Sequence, residues 1–434
     1  MTKTGTKTAD TMYSTISIPE AKGPQWILKR DGTRVLFDRY KIREAMAKAN
    51  RTVPSETLSG DDLDYLTNQV VLGIEEQDTP GVEQIQDVVE KVLLDHQVYQ
   101  TAKAYMVYRA EHTRRRETAH KLMETYRDIS LQDAKNSDLK RENANIDGDT
   151  AMGTMLKYGS EGAKAFIDAY VLPEDMAKAH AQGDIHIHDK DFYLLTETCC
   201  QINLDKLFKG GFSTGHGVLR EPQSIESYAA LACIAIQANQ NEMHGGQAIP
   251  NFDFAMAEGV NKTAKKHMKD VLSEADLWGK EVDEETRNKL QEMDFNAMAE
   301  TLKAKTKTPS ASKSILDLVI ARTRRSTYQA MQALIHNLNT MNSRAGAQVP
   351  FSSINYGTDT SEAGRLVMRE LLRATEDGLG NGETPIFPVQ IFKVKDGLNT
   401  APGDPNYDLF QEAVRCSAER LFPNFSFLDA PFNL

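Results

Sequence analysis

The chain has 434 residues and a formal net charge of −11, with hydrophobic residues at 40% and charged residues at 26%. At roughly 150 residues per domain there is room for about three domains, or one large domain with a small one attached, and the composition is too apolar for a disordered chain. The acidic balance excludes a protein that coats nucleic acid, which needs a surplus of Lys and Arg, but leaves open local basic pockets for small phosphates. The longest apolar run, Tyr228 to Ile236, falls well short of the ~18 residues of a membrane span. Met1 to Thr11 is polar, without the apolar core of a signal peptide. Four cysteines, none in a CxxC, cannot make a disulfide framework in this length, which points to a reducing, cytoplasmic setting.

Residues 1–23 read as a flexible lead. Asp31-Gly32 then stands between two short β-prone runs and predicts a hairpin, because both residues tolerate φ > 0. Asp38 is placed to cap a helix over 39–50, with Ile42, Ala45, Met46 and Ala49 on one stripe. A second helix is expected over 61–75. Thr79-Pro80 next offers an N-cap and a first-turn proline for a third helix, whose apolar face is Val82, Ile85, Val88, Val89 and Val92. A fourth helix is expected from Val98 to Glu117, running into Arg114-Arg115-Arg116. Residues 24–116 thus form one compact unit. Residues 117–150, polar and loop-like from Ile129 to Asp149, read as a linker and the start of the next domain, 151–434.

In that domain helices are predicted over 163–171 and 173–182. Asp184-Ile-His-Ile-His188 alternates like a strand, which would turn His186 and His188 to one face. Long helices follow over 223–240, 253–268 and 283–304, and 303–314 reads as an exposed loop. Beyond Ile315, apolar segments at 349–355, 385–393 and 422–427 alternate with helices at 361–377 and 409–420, an α/β pattern with a strand after each helix.

Lys29-Arg30-Asp31-Gly32 and Lys41 gather cations at a turn and the start of a helix, where backbone amides favour anions. Alone, this is equally a solvated charged turn. Joined to Thr79-Pro80 and Tyr105-x-x-Tyr108-Arg109, it resembles the ATP-cone, a regulatory nucleotide-binding domain found at the N-terminus of ribonucleotide reductases. The resemblance implies a small α+β domain that binds ATP or dATP through Lys29, Arg30, Lys41, Thr79 and Arg109.

His186 and His188 could hold a metal, but no third ligand stands nearby, and polar residues lining a barrel mouth are the expected role. The vicinal pair Cys199-Cys200 fits disulfide geometry poorly; on a strand, one thiol would face a cavity and the other be buried. Glycine pairs such as Gly245-Gly246, followed by Gln247, suit close approach of backbone to a ligand and are equally common in loops. Read in order, several segments resemble the catalytic subunit of class III, the anaerobic ribonucleoside-triphosphate reductases. They are Arg141-Glu-Asn-Ala-Asn145, the His-x-His-Asp-x-Asp-Phe-Tyr run, Cys199-Cys200, Gly245-Gly246-Gln247, Ser343-Arg344 and Phe422-Pro-Asn-Phe-Ser-Phe427. With the cone, the likeness runs from about residue 24 to the last residue.

That resemblance implies a ten-stranded α/β barrel built of two five-stranded parallel halves, incomplete here. It implies substrate contacts among Asn143, Asn145, His186, His188, Gly245, Gly246, Gln247, Ser343 and Arg344, no metal in this part, and a reducing cysteine at Cys199, with Cys200 as the alternative. It further implies a glycyl radical made by a radical-SAM activating enzyme, a thiyl on a barrel loop, a structural zinc, formate or a thiol system as reductant, and a homodimer. No Gly-Cys-Arg or Cys-Gly-Tyr context and no four-cysteine zinc site occurs among these residues, while Cys233 and Cys416 read as core. The expectation is therefore the N-terminal part of a longer or split enzyme, completed by a C-terminal segment or chain and without turnover alone. The competing reading is a non-catalytic, nucleotide-sensing regulatory fragment; the long barrel-like region after the cone argues against a repressor of that kind.

Overall fold

A computed structural model of the chain describes residues 20–131, 150–193, 196–277, 282–304, 310–344 and 348–433. They fall into two compact units: residues up to 127 with 168–178, and the remainder of 128–434.

The first unit opens with the expected hairpin, β1 (Trp26–Leu28) and β2 (Arg34–Leu36), antiparallel with Trp26 opposite Leu36. Lys29 N–H donates to Thr33 O at 2.8 Å, and Gly32 supplies the left-handed turn residue at φ 78°. Helix α1 (Arg39–Arg51) starts on Asp38, whose carboxylate accepts the Tyr40 N–H. Helix α2 (Gly60–Ile74) is closed by a reciprocal Ser59–Asp62 capping box. Helix α3 (Val82–Asp95) begins later than the Thr79-Pro80 signal suggested, with Gly81 as its N-cap. The reason lies in the hairpin: Leu28 N–H donates to Pro80 O at 3.1 Å, so the segment before α3 is held along β1. Helix α4 (Tyr99–Leu131) runs well past Glu117 into residues read as linker. Residues 118–131 mix Ala, Leu, Met, Lys, Glu and Arg with other residues and hold no Gly or Pro, so polarity without a breaker is helix, not loop. Met46, Leu66, Val70, Ile74, Val89 and Leu93 fill this unit's core.

Helix α5 (Ala151–Phe166), in the second unit, is capped by Thr150 and passes into a π-helical turn at Ile167–Val171; α6 (Glu174–Gln182) follows, and residues 168–178 of this stretch belong to the first unit. The expected strand at 184–188 does not form. Those residues are irregular, with His180 Nδ1 accepting the Ile187 N–H, and Asp189 takes a left-handed backbone at φ 47°. Two isoleucines among histidines are too short a pattern to fix a strand that no neighbour pairs.

Next come β3 (Thr198–Gln201), α7 (Leu204–Phe208), a small hairpin of β4 (Phe212–Ser213) and β5 (Val218–Leu219), α8 (Ile225–Asn239) and β6 (His244–Ile249). Then follow α9 (Phe252–Leu277), α10 (Glu284–Glu292), α11 (Phe295–Lys303) and α12 (Ser310–Thr340). The helix expected over 283–304 is thus two, divided where Asp294 caps α11, and α12 is a helix that the periodicity did not disclose. The chain continues with β7 (Ser352–Tyr356), α13 (Glu362–Asp377), β8 (Val389–Val394), α14 (Tyr407–Arg420) and β9 (Asn424–Phe427). Among the described residues, β3-β6-β7-β8-β9 form one sheet with every neighbouring pair parallel, the strand count expected of one barrel half. Helices α8, α9, α12 and α13 bury Ile236, Phe252, Met256, Met331, Leu334 and Leu371 in a common core with Tyr356 and Phe392 of the sheet.

Asp253, fully buried at the start of α9, ties this layer to the sheet. Its Oδ2 accepts the N–H groups of Gly357, Thr358 and Asp359, just beyond β7, at 2.9, 3.0 and 3.0 Å. Burial pushes its carboxyl above the ordinary range, against the three donated hydrogen bonds.

Candidate functional site

Two groups of expected site residues lie in the two units. In the cone-like unit Lys29, at the hairpin turn, and Lys41, in the first turn of α1, are exposed and make no ion pair among the described residues. Arg30 is engaged: its guanidinium bonds Glu83, and Nη2 donates to Gln86 Oε1 at 2.7 Å. Arg109, on α4, reaches the same Glu83 at 2.7 Å together with Asp87 at 2.7 Å and Glu90 at 3.0 Å. Arg30 is the main influence holding the Glu83 carboxyl below its usual range, with Arg109 adding to it. The hydroxyl of Thr79 accepts from Arg34 at 3.4 Å, and Arg34 lies over the Trp26 ring. The fold therefore brings Arg30 and Arg109 together, but on a carboxylate. A phosphate chain would find Lys29 and Lys41 open and would have to compete with Glu83 for Arg30. Neither Glu83 nor Arg34 was singled out from sequence, where an acidic residue in a first helical turn looks like ordinary dipole compensation.

In the second unit the cysteine pair lies on β3, at the edge of the sheet. Thr198 faces His244 on β6, but Cys200 faces Gln247, so β6 carries one residue more than β3 between the two pairs. Gly245 takes up the excess at φ 88°, and Cys199 sits opposite in a left-handed backbone of its own at φ 48°. A Cβ on Gly245 would lie 2.9 Å from Cys199 Sγ, so the thiol occupies the space this glycine leaves. Cys199 is exposed and Cys200 half-buried; the expectation that one thiol would be buried is not met, because the bulge breaks the alternation of faces. Cys200 Sγ accepts from Asn239 Nδ2 at 2.9 Å, and the same amide nitrogen donates to Gln247 Oε1 at 2.7 Å. Gln247 is buried, donating in turn to Gln240 Oε1 and to Ile236 O, each at 3.0 Å. Gly246 lies under the Phe351 ring, 2.9 Å from where its Cβ would be. A cavity of about 390 Å³ opens beside Asn239, walled by Ile202, Leu207, Phe212, Ala235 and Glu242. All four cysteines are free thiols; Cys233 and Cys416 are buried, and burial pushes both up to about 12.

His244 is clamped on every side. Its Nε2 lies 3.0 Å from Thr198 Oγ1 and 3.7 Å from Asp189 Oδ2, its Nδ1 lies 3.3 Å from Thr196 Oγ1, and Phe192 stacks on the ring at 4.4 Å. His188, almost fully exposed, approaches the same Asp189 at 3.5 Å. Arg344 is half-buried; burial lowers its guanidinium, and Asp189 opposes that shift. Asp189 thus stands beside His188 and His244, and its charge acts on Arg344. His186 stands outside the group, its ring 5.8 Å from His180 and 5.7 Å from His188. Among the described residues no group of three or more His, Cys, Asp or Glu is arranged to hold a metal ion. The Ser343 hydroxyl is buried without a partner among the described residues. Asn143, Asn145 and their neighbours from Arg141 lie outside the described residues. Asp189, Asn239 and His244 were not singled out as site residues from sequence, though Asp189 sits inside the His-x-His run and His244 stands just before Gly245.

Comparison with known proteins finds two family matches along the chain. The family model for anaerobic ribonucleoside-triphosphate reductase matches residues 142–434, and that for the ATP cone domain matches residues 26–114. The chain is 30% identical to the anaerobic ribonucleoside-triphosphate reductase of Salmonella typhimurium over 404 residues, which is 92% of this chain and 51% of that protein. Its likeness to the Escherichia coli protein is 29% over the same shares, so the chain spans about half the length of the curated relatives it matches. A stretch of 88 residues, 19% of this chain and 11% of the relative, is 39% identical to the vitamin B12-dependent ribonucleoside-diphosphate reductase of Thermoplasma acidophilum. Among solved structures, the anaerobic ribonucleotide reductase from Thermotoga maritima in complex with dATP and CTP aligns over 73% of this chain and 50% of its own, at 13% identity and a TM-score of 0.44, too distant to add to the argument. On the family match over residues 142–434, the chain belongs to the anaerobic ribonucleoside-triphosphate reductases and carries an ATP-cone ahead of the reductase region.

Proposed function

We propose that this chain supplies the regulatory cone and the reducing-cysteine half of an enzyme that converts ribonucleoside triphosphates to deoxyribonucleoside triphosphates without oxygen. The observation that carries the reading is the exposed Cys199 thiol, seated over Gly245 at the edge of a parallel sheet within the region matching the reductase family. In this reading Cys199 reaches the substrate ribose, Cys200 stays tethered to Asn239, and Asp189 with Arg344 and His188 forms the polar side of the pocket, with Ser343, Gly246 and Gln247 shaping its walls. A glycyl radical, installed by a radical-SAM activating enzyme, supplies the hydrogen-abstracting chemistry in the whole enzyme. Formate or a thiol system is the proposed reductant, a zinc the proposed structural metal outside these residues, and a second copy and a C-terminal complement the proposed partners, all in the cytoplasm. Shielding by the barrel suits such chemistry, since a radical must be kept from water.

ATP and dATP are the proposed effectors, held by Lys29 and Lys41 with Thr79, and by Arg30 and Arg109 once these part from Glu83. The two open lysines and the hairpin backbone are compatible with a triphosphate. Equilibrium dialysis of the chain against ATP and dATP tests the regulatory half: binding that falls at least tenfold in Lys29→Ala and Lys41→Ala is expected, and a chain that takes up neither nucleotide refutes it. The catalytic half is tested in the complete enzyme from its native source, where Cys199→Ser abolishes turnover; full turnover by that variant refutes the role given to Cys199.

A further inference from the structure

We propose that His244 is the positioning residue for Cys199: its bond to the Thr198 hydroxyl pins the β3–β6 bulge that holds the thiol over Gly245. This rests on the reading of Cys199 as the reducing cysteine, although the geometry below stands without turnover.

A left-handed backbone at a non-glycine residue is strained and persists only where its surroundings enforce it. Cys199 is such a residue, and the constraints on it can be traced. On one side, Gly245 has no Cβ and leaves the space that Sγ fills. On the other, Thr198 is fixed by a side-chain bond to His244, the residue just before Gly245, while the His244 N–H donates to Glu197 O at 3.1 Å. The two strands are thus stitched immediately ahead of the bulge by one backbone and one side-chain bond, both from His244. The imidazole cannot swing away, because Phe192 stacks on its face, Thr196 meets its other nitrogen and Asp189 stands beside it. Cys200 is held independently, through Asn239 on α8. The two neighbouring thiols therefore have separate anchors. Loss of the His244 clamp releases Cys199 to the extended backbone of an ordinary strand, which turns its side chain away from the open face, and leaves Cys200 where it was.

The test is iodoacetamide alkylation of the intact chain under native conditions, with modification at Cys199 and Cys200 resolved by tandem mass spectrometry. In His244→Ala the Cys199 rate falls at least about fivefold while the Cys200 rate stays within twofold of the parent. His244→Gln, which can still reach the Thr198 hydroxyl, restores the Cys199 rate to within about twofold. Thr198→Val, which keeps the shape and removes the partner atom, reproduces the alanine result and serves if His244→Ala does not fold. An unchanged Cys199 rate in both His244→Ala and Thr198→Val overturns the proposal. So does a parallel change at both cysteines, or a glutamine variant no better than alanine. Failure of Cys199→Ser to affect turnover would instead refute the catalytic reading and leave the clamp intact, so the two failures are distinguishable.

Discussion

Removing the Asp253 side chain is expected to loosen the junction between α9 and the exit of β7 far more than neutralising it. One oxygen of this fully buried carboxylate takes three backbone N–H groups, those of Gly357, Thr358 and Asp359, and its other oxygen takes Phe254 N–H at 3.1 Å. Each buried donor left without a partner costs about 1–3 kcal/mol, so three give an upper sum near 9; relief from burying a charge offsets several kcal/mol, and Asp253→Ala should cost about 3 kcal/mol. Asp253→Asn can present its carbonyl oxygen to the same three donors and forfeits only the Phe254 bond, about 1 kcal/mol. Hydrogen exchange of the Gly357–Asp359 amides reads the junction directly: about 3 kcal/mol corresponds to roughly 100-fold faster exchange in the alanine variant and a few-fold in asparagine. The wild-type group also sets a pH slope. Its carboxyl is raised above the ordinary value of 3.8 by burial, so the folded state binds the proton more tightly than the unfolded one. Its contribution to stability is therefore fully present below the unfolded value and lost as pH rises through the folded one, a slope that Asp253→Asn removes. Equal protection in wild type and Asp253→Ala would refute the reasoning.

Glu83→Gln frees Arg30 and Arg109 from a half-exposed carboxylate; exposed pairs are worth about 0.2–1 kcal/mol, so ATP and dATP should bind up to about fivefold more tightly by calorimetry, and weaker binding would show that Glu83 assists the nucleotide. Gly357→Ala places a Cβ 2.6 Å from Lys393 O at φ 127°, and expression should yield a chain whose sheet amides lose protection by the equivalent of about 3 kcal/mol; normal protection contradicts the geometry. Asn50→Ala removes a buried amide that accepts from Leu58 N–H at 3.0 Å and donates to Glu56 O and the Thr101 hydroxyl, and should cost the cone-like unit about 2 kcal/mol in calorimetric unfolding while leaving Cys199 alkylation unchanged.

Local signals were read well where the physics is local. Asp31-Gly32 marks the hairpin and Asp38 the start of the helix it caps, because a turn or cap needs only a few residues. Helix α12 escaped because its buried stripe runs through Thr323, Thr327 and Ala330 between Val319 and Met331, and small or hydroxylated residues dilute the apolar period. The His186–His188 run misleads for the opposite reason, a strand-like alternation that no strand among the described residues pairs. At the cysteine site the reactive residues themselves were legible, but not their setting. Asp189 meets His244, and Asn239 meets Cys200, only through the packing of irregular chain and α8 against β3 and β6, and the bulge that exposes Cys199 depends on a strand register that sequence does not display.

That register also shapes how the chain must fold. Gln247 on β6 pairs with Ser352 on β7 across the whole of α9 to α12, so the centre of the sheet closes only after a long stretch of chain has been ordered. Contacts so distant in sequence form slowly, whereas β1 pairs with β2 across a single turn and α1, α2 and α3 pack on their immediate neighbours. During synthesis the N-terminal unit can complete its core while β6 waits for β7. The waiting strands are the hazard: Val389-Gln-Ile-Phe-Lys-Val394, paired on both sides and alternately buried in the finished sheet, is until then a β-prone segment with a single charge, open to other chains. The yield of correctly folded protein is therefore governed by a race between sheet closure and association of unfinished strands, and slower, cooler synthesis favours closure.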